Sequence, residues 1–450
     1  MGEIDLKKLQ LLNEIAVTTA SRRRLLQGAG AVGAAALMGR MVLNPANVSA
    51  AGKLKFYHDK VNWQDFFVAQ GNLAEAAIGV NWDPSPYSDT TSYQAAVLAA
   101  LPTSDTPDFF TWWSGYRIED LFSQNVLEDV SDVWTKAIAD GELSADLAAA
   151  FTFGGKQWAI PASLSYWVAF YNKKVFADNG VSVPTTWAEL TAAADKFKAA
   201  GITPFAATQN GRWPAFIWFE ELLIRTDPNF YVELTAGRAK YTDPTAVKVF
   251  ETWKTLIDAG YFTSFDSDPF NDWIPQFTQG KLATITMGTW YQSGFTGANL
   301  KPGVDYDIFV LPNVDPALTG KSIIVETGAL AIAAKSSKID DAKKMAAWWV
   351  SPDAQTAWIK NLSDASPDPK ATSDNVALQG LIKTVGDGYS LYQRYWEASP
   401  VPIVEGGVDF LAQFMLNPGD ATSVMENLQK LADTEWAKRG GPAASATPTS

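Results

Sequence analysis

Apolar and polar positions alternate from Lys53 to Tyr57 and predict a first strand, which runs into the polar turn His58-Asp59-Lys60. The spacing from Ser92 to Leu101 predicts a helix. Asp105-Thr106-Pro107-Asp108 then breaks the chain before the apolar strand Phe109 to Trp113, and Ile118 to Gln124 is helical again. This alternation of strand and helix predicts an α/β fold with mainly parallel sheets flanked by helices. The same grammar resumes at Trp158 to Pro161 and at Tyr166 to Asn172. Trp187 to Ala200 is the best marked helix: Pro184-Thr185-Thr186 leads in, Glu189 puts a carboxylate in its first turn, and Gly201 stops it. Val247 to Ala259, closed by Gly260, and Lys338 to Val350 are amphipathic helices. Short glycine and proline turns separate these elements, with neither a low-complexity linker nor a repeat at solenoid spacing.

The first fifty residues obey other rules. Arg22, Arg23 and Arg24 precede Leu25-Leu26, the small and apolar stretch Gly28 to Met38 follows, and Val48-Ser49-Ala50 offers small side chains to a signal peptidase. That order predicts an export signal of the twin-arginine type over residues 1–50, cleaved near Ala50, and a periplasmic mature protein. Gly28, Gly30 and Gly33 match the dinucleotide fingerprint, but no strand precedes them and the segment is removed with the leader. No apolar run after residue 50 reaches membrane-spanning length.

Composition narrows the chemistry. Cysteine is absent, which excludes disulfides, thiol nucleophiles, Cys-ligated zinc and a lipidated cysteine at the cleavage site. His58 is the single histidine, so HExxH zinc sites and His-dependent triads are excluded too. The chain carries 36 basic and 49 acidic residues; taking away the leader's six basic and three acidic ones leaves a net charge of −16. Such a surface disfavours nucleic acid and anionic membranes as partners and argues against an anionic ligand.

Several separated segments resemble one family. Gly155-Lys156-Gln157-Trp158-Ala159-Ile160-Pro161 followed by Phe170-Tyr171-Asn172-Lys173-Lys174-Val175-Phe176 is similar to the segment by which the family 1 extracellular solute-binding proteins, maltose-binding protein among them, cross from one lobe to the other. Pro184-Thr185-Thr186-Trp187-Ala188-Glu189-Leu190 resembles a helix start of that family. Phe277 to Lys281 with Gly288-Thr289-Trp290 resembles another of its segments, Thr284 standing where the family usually has Met. Glu326-Thr327-Gly328 to Ala334, with Ala342 to Val350 and Ser351 to Gln355, resembles the second crossing and the helix beyond it. These pieces stand in order over residues 105–355, and the resemblance extends to about residue 436. It implies a two-lobed periplasmic-binding-protein fold (type II-like) with a hinge: residues 51–157 and 327–375 as the N-terminal lobe, 158–326 and 376–438 as the C-terminal lobe, and 439–450 as a disordered tail. Hinged lobes close around ligand. It further implies a monomeric sugar-binding component of an ABC importer, with permease subunits as partners and neither cofactor nor catalytic or metal residues.

The eighteen tryptophans fit that expectation, because an indole offers a broad apolar plane and one N–H donor to a sugar's C–H face and polar rim. Trp112 and Trp113 end an apolar strand, where open α/β sheets bind ligands, and strand alternation buries one of the two. The resemblance adds Trp290 as a sugar platform and Trp213, in the loop Asn210-Gly211-Arg212-Trp213-Pro214, whose plainer role is a helix-capping contact. His58, Asp59 and Asn62 follow the first strand as hydroxyl-binding candidates or as a solvated turn. Ser165 and Asn210 occupy contact positions where the family often has a carboxylate. Glu326 binds a hydroxyl or holds the hinge, and Trp396 completes the set.

Other functions compete. A glycoside hydrolase needs two carboxylates flanking the scissile bond, which an acidic chain supplies in number. A polyamine site needs clustered carboxylates with aromatics. A phosphonate or metal–chelate site needs convergent arginines, and the cleft candidates offer Arg117 and Arg212. Asp266-Ser267-Asp268 begins like a calcium loop but lacks the glycine at its sixth position and reads as a turn.

Overall fold

The computed structural model describes residues 52–443. The export signal expected over residues 1–50 falls outside the described residues, as do residues 444–450 of the tail. Eleven strands are present among the described residues. The first five are β1 (Leu54–His58), β2 (Trp82–Pro86), β3 (Phe109–Trp113), β4 (Thr152–Phe153) and β5 (Lys156–Gln157). The others are β6 (Ile160–Asn172), β7 (Thr203–Phe205), β8 (Leu282–Gly288), β9 (Tyr306–Phe309), β10 (Lys321–Ile332) and β11 (Tyr389–Gln393). Nine of them form one sheet, ordered β2-β1-β3-β10-β6-β8-β7, with β11 added on β10 and β9 on β6; β4 and β5 make a separate hairpin.

The two long strands organise the molecule. The first half of β6 pairs with β10, and its second half with β8 and β9. Likewise the first half of β10 pairs with β11 and its last five residues with β3. Each therefore belongs to two half-sheets, one built on β1–β3 and the other on β7–β9. The parallel pairing expected to predominate is found at the outer parts: β1 with β2 and β3, β7 with β8, β10 with β11. In the middle it gives way to antiparallel pairing of β10 with β3 and β6, and of β6 with β8 and β9. The reason is directional, since β6 and β10 traverse the molecule in opposite senses. The two runs read as separate strands around residues 158–172 are one continuous strand.

Helices cover both half-sheets for local reasons. Trp187–Ala199 begins with a full capping box, the Thr186 side chain accepting from the Glu189 N–H while the Glu189 carboxylate returns to the Thr186 N–H. Gln64–Ile78 buries Phe67 against Trp358 of the helix Pro352–Leu362, the rings stacked at 4.9 Å. Val401–Leu416 and Ala421–Lys438 pack on each other at the C-terminus, helped by Gly406, where a Cβ would stand 2.9 Å from Leu431. Beyond them Arg439 pairs with Glu119, Asp120 and Glu435, and the Ala443 N–H donates to the Ala236 carbonyl at 2.9 Å.

Candidate functional site

A cavity of about 440 Å³ opens where the half-sheets meet. Its walls come from strand ends and the loops after them: Asp59 to Trp63 after β1, Thr111 to Trp113 at the end of β3, Trp290 after β8, and Arg394 and Trp396 after β11. Ala162 and Ser163 of β6 and Glu326, Gly328 and Ala329 of β10 line it from the crossing strands.

Nine of the eleven residues singled out in the sequence line this cavity: Asp59, Asn62, Trp112, Trp113, Asn210, Trp213, Trp290, Glu326 and Trp396. His58 and Ser165 do not. Alternation along β1 turns Leu54, Phe56 and His58 to the core, where the imidazole sits between Phe56 and Phe67. Burial lowers its pKa, the Gln64 side chain opposing. Gln64 donates its own amide to the Pro84 carbonyl, so its Oε1 accepts the His58 Nε2–H at 2.7 Å, and Nδ1 is left to accept from the Lys60 N–H. Ser165 is covered by the segment Asp364–Ala365, which bridges to Leu164, and its hydroxyl donates to Asp364.

Glu326 is the polar centre of the cavity. Its Oε2 accepts the indole N–H of Trp290 at 3.0 Å and that of Trp167 at 3.3 Å, and pairs with Arg394 Nη1 at 2.9 Å. The rest of the guanidinium clasps Glu397 through Nε and Nη2. Burial by itself would lower the Arg394 pKa, but Glu326 and Glu397 outweigh it and hold the group charged well above the usual arginine range. Arg117 and Arg212, the two arginines expected to matter for an anion, are committed elsewhere: both reach Glu405, and Arg212 also grips Asp409.

The aromatic rings differ in what they can offer. Trp396 has one face against Phe216, stacked at 5.6 Å, and the Arg117 guanidinium 3.6 Å from its ring centre. Little of the ring is left open to the cavity. Trp112 and Trp113 both line the wall, although alternation predicts one of them buried away from it; both are nearly covered, and Trp112 donates its N–H to the Arg117 carbonyl. Trp290 and Trp213 are half-exposed, 6.4 Å apart, and Trp63 comes within 6.4 Å of Trp290 from the other half-sheet. Trp290 owes its pose to Gly288, where a Cβ would lie 2.3 Å from the indole nitrogen.

Sequence reasoning missed Trp63, Lys60, Phe270, Asp268 and Arg394, all of which line the cavity. Trp63 and Lys60 flank residues it did select, and Arg394 stands two places before Trp396. Asp266-Ser267-Asp268 reads in the sequence as a turn, and Asp268 caps the loop there, its Oδ1 accepting the N–H groups of Phe270 and Asn271. Among the described residues no cluster of acidic or histidine side chains has the makings of a metal site, and no helix is long and apolar enough to cross a membrane.

A two-lobed α/β architecture with two crossing strands and an aromatic, carboxylate-centred cavity between its halves defines a ligand-capturing receptor rather than a surface-binding module. The family model for bacterial extracellular solute-binding protein matches residues 72–380, and the chain belongs to that family. A probable sugar-binding periplasmic protein of Brucella suis is 28% identical over 254 residues, 54% of this chain and 58% of the relative. An uncharacterised ABC-transporter extracellular-binding protein of Pyrococcus horikoshii is 27% identical over 225 residues, 49% of each chain. The matches thus span about half the length of these curated relatives. Among solved structures, the solute receptor AcbH, whose substrate preference is exclusively β-D-galactopyranose, superposes with a TM-score of 0.77 at 21% identity, covering 86% of this chain and 98% of the receptor.

Proposed function

We propose that this protein is the exported substrate-binding component of an ABC importer, taking a sugar or oligosaccharide into the interlobe cavity and presenting it to permease subunits on closure. The observation that carries this reading is the pairing of Glu326 with Trp290. A half-exposed indole plane, fixed by its own N–H to a buried carboxylate, offers one surface for a sugar's C–H face beside an acceptor for its hydroxyls. Trp213 and Trp63 stand steeply inclined to that plane, at 58° and 68°, and wall it in, while Asn62, Ser163 and Asn210 add neutral polar groups. Relatives described as sugar-binding periplasmic proteins support the ligand class and a periplasmic location. The lobes are residues 51–157 with 327–375 and 158–326 with 376–438, joined through β6 and β10.

Closure needs a ligand that binds the closed arrangement better than the open one, since equal affinity shifts nothing. The reading is one of binding without catalysis. Carboxylates also line the cavity at Asp59, Asp89 and Asp268, which keeps a polyamine as the second reading.

Thermal unfolding of the purified protein against mono- and oligosaccharides, polyamines and phosphonates tests both. A ligand at a hundred times its Kd adds about 2.7 kcal/mol. Stabilisation by a sugar class, with the sugar recovered unchanged, supports the proposal. Stabilisation by polyamines alone overturns the ligand, and hydrolysed sugar overturns the binding-only reading.

A further inference from the structure

Phe270 is the one exposed aromatic ring among the described residues, with 40% of its surface open, and it lines the cavity. Its exposure is built in. Asp268 accepts the N–H groups of Phe270 at 2.7 Å and Asn271 at 3.0 Å, while the Asp268 N–H donates to Asp272 at 2.7 Å. Tyr291 donates its hydroxyl to the Pro269 carbonyl, and Trp273 donates its indole N–H to Ser267 at 2.8 Å. The loop is thus tied at five successive points to hold an apolar ring outward, which water alone would not favour.

Its neighbours give that ring a direction. The Phe270 ring centre lies 6.2 Å from that of Trp290, with the planes inclined by 33°. Phe270 therefore continues the Trp290 surface outward from Glu326. Across the cavity, Val61 is likewise exposed, at 45%, and lines the wall beside Trp63.

Resting on the sugar-binding reading above, we infer that Phe270 forms a second ring subsite, so that the ligand is a saccharide of at least two units. One unit sits on Trp290 beside Glu326, and the next sits on Phe270 with Val61 facing it.

Titration calorimetry of the full chain with monosaccharides and with di- and trisaccharides built from them tests this. Wild type is expected to bind a disaccharide at least tenfold more tightly than its component monosaccharides. Phe270→Ala should draw that ratio toward one, and Phe270→Trp should keep it. The substituted side chain is exposed, so folding is not at stake. A monosaccharide that binds as tightly as every disaccharide containing it overturns the second subsite and leaves the sugar reading intact. So does a Phe270→Ala protein with an undiminished ratio. Failure of every saccharide to bind wild type overturns both.

Discussion

Glu326 gathers two indole N–H groups and a guanidinium on a single oxygen, so each partner's removal has a separable consequence. Gly288→Ala keeps the charge pair but places a methyl where the Trp290 nitrogen now lies; Gly288 has φ −64°, which alanine accepts, so the cost falls on the indole. The expected result is a protein as stable as wild type to within about 1–3 kcal/mol of local crowding, with sugar affinity reduced at least tenfold by calorimetry. Undiminished affinity would remove Trp290 from the site. Arg394→Met acts differently, leaving Glu326 and Glu397 buried without their cation. That should cost about 3–5 kcal/mol in urea unfolding; a loss under about 1 kcal/mol would show that the two carboxylates do not depend on that cation. At this scale the sequence was a good guide to residue types and a poor one to what each touches. The tryptophans of the cavity were visible as tryptophans. That Trp396 is covered by Arg117 and stacked on Phe216 depends on contacts nearly three hundred and one hundred and eighty positions apart, which no local pattern carries.

Among elements, β6 and β10 were legible as crossing segments through their resemblance, while their antiparallel pairing was not, because strand direction follows from where the chain goes afterwards. The C-terminal helix pair was missed for a related reason. Val401–Leu416 is apolar over much of its circumference, so its period is blurred. The junction of β6 with the helix Pro352–Leu362 carries a titration. Asp364 is fully buried and accepts the hydroxyls of Ser165 and Thr289 and the Ala365 N–H. Burial pushes its carboxyl from 3.8 up to about 7, against those hydrogen bonds, with nearby Glu326 adding to the rise. Between about pH 4 and 7 the folded protein holds a proton that the unfolded chain has released, so this group's contribution to stability is lost as pH rises through that window. Urea unfolding of wild type and Asp364→Asn at pH 5 and pH 8 should show wild type losing ground to the variant at the higher pH. Parallel behaviour at both values would mean that Asp364 ionises normally.

For the whole molecule, the proposed closure raises the question of what holds the halves together around the cavity. Glu405, at the start of the helix Val401–Leu416, receives Arg117 Nη2 at 3.0 Å and Gln94 Nε2 at 3.3 Å from the half built on β1–β3. Arg212, beside the cavity in the other half, reaches the same carboxylate at 3.5 Å and fixes the Asn210–Trp213 loop through Asp409. Arg117 is almost wholly buried, and burial brings its pKa down to about 10 with Glu405 opposing the fall. A buried cation shared this way across two halves favours the arrangement in which its carboxylate is near. Opening the halves would separate them. Glu405→Gln weakens that tie without emptying the space, so the closed form becomes less populated and apparent affinity falls in proportion to that population. The expected outcome is a larger radius of gyration by small-angle scattering in the absence of sugar, returning toward the wild-type value at saturation. Sugar affinity should drop about fivefold, roughly 1 kcal/mol, while Trp290 and Phe270 still receive the ligand. An unchanged radius with unchanged affinity would place Glu405 in the fixed framework of the molecule and leave closure to the ligand alone.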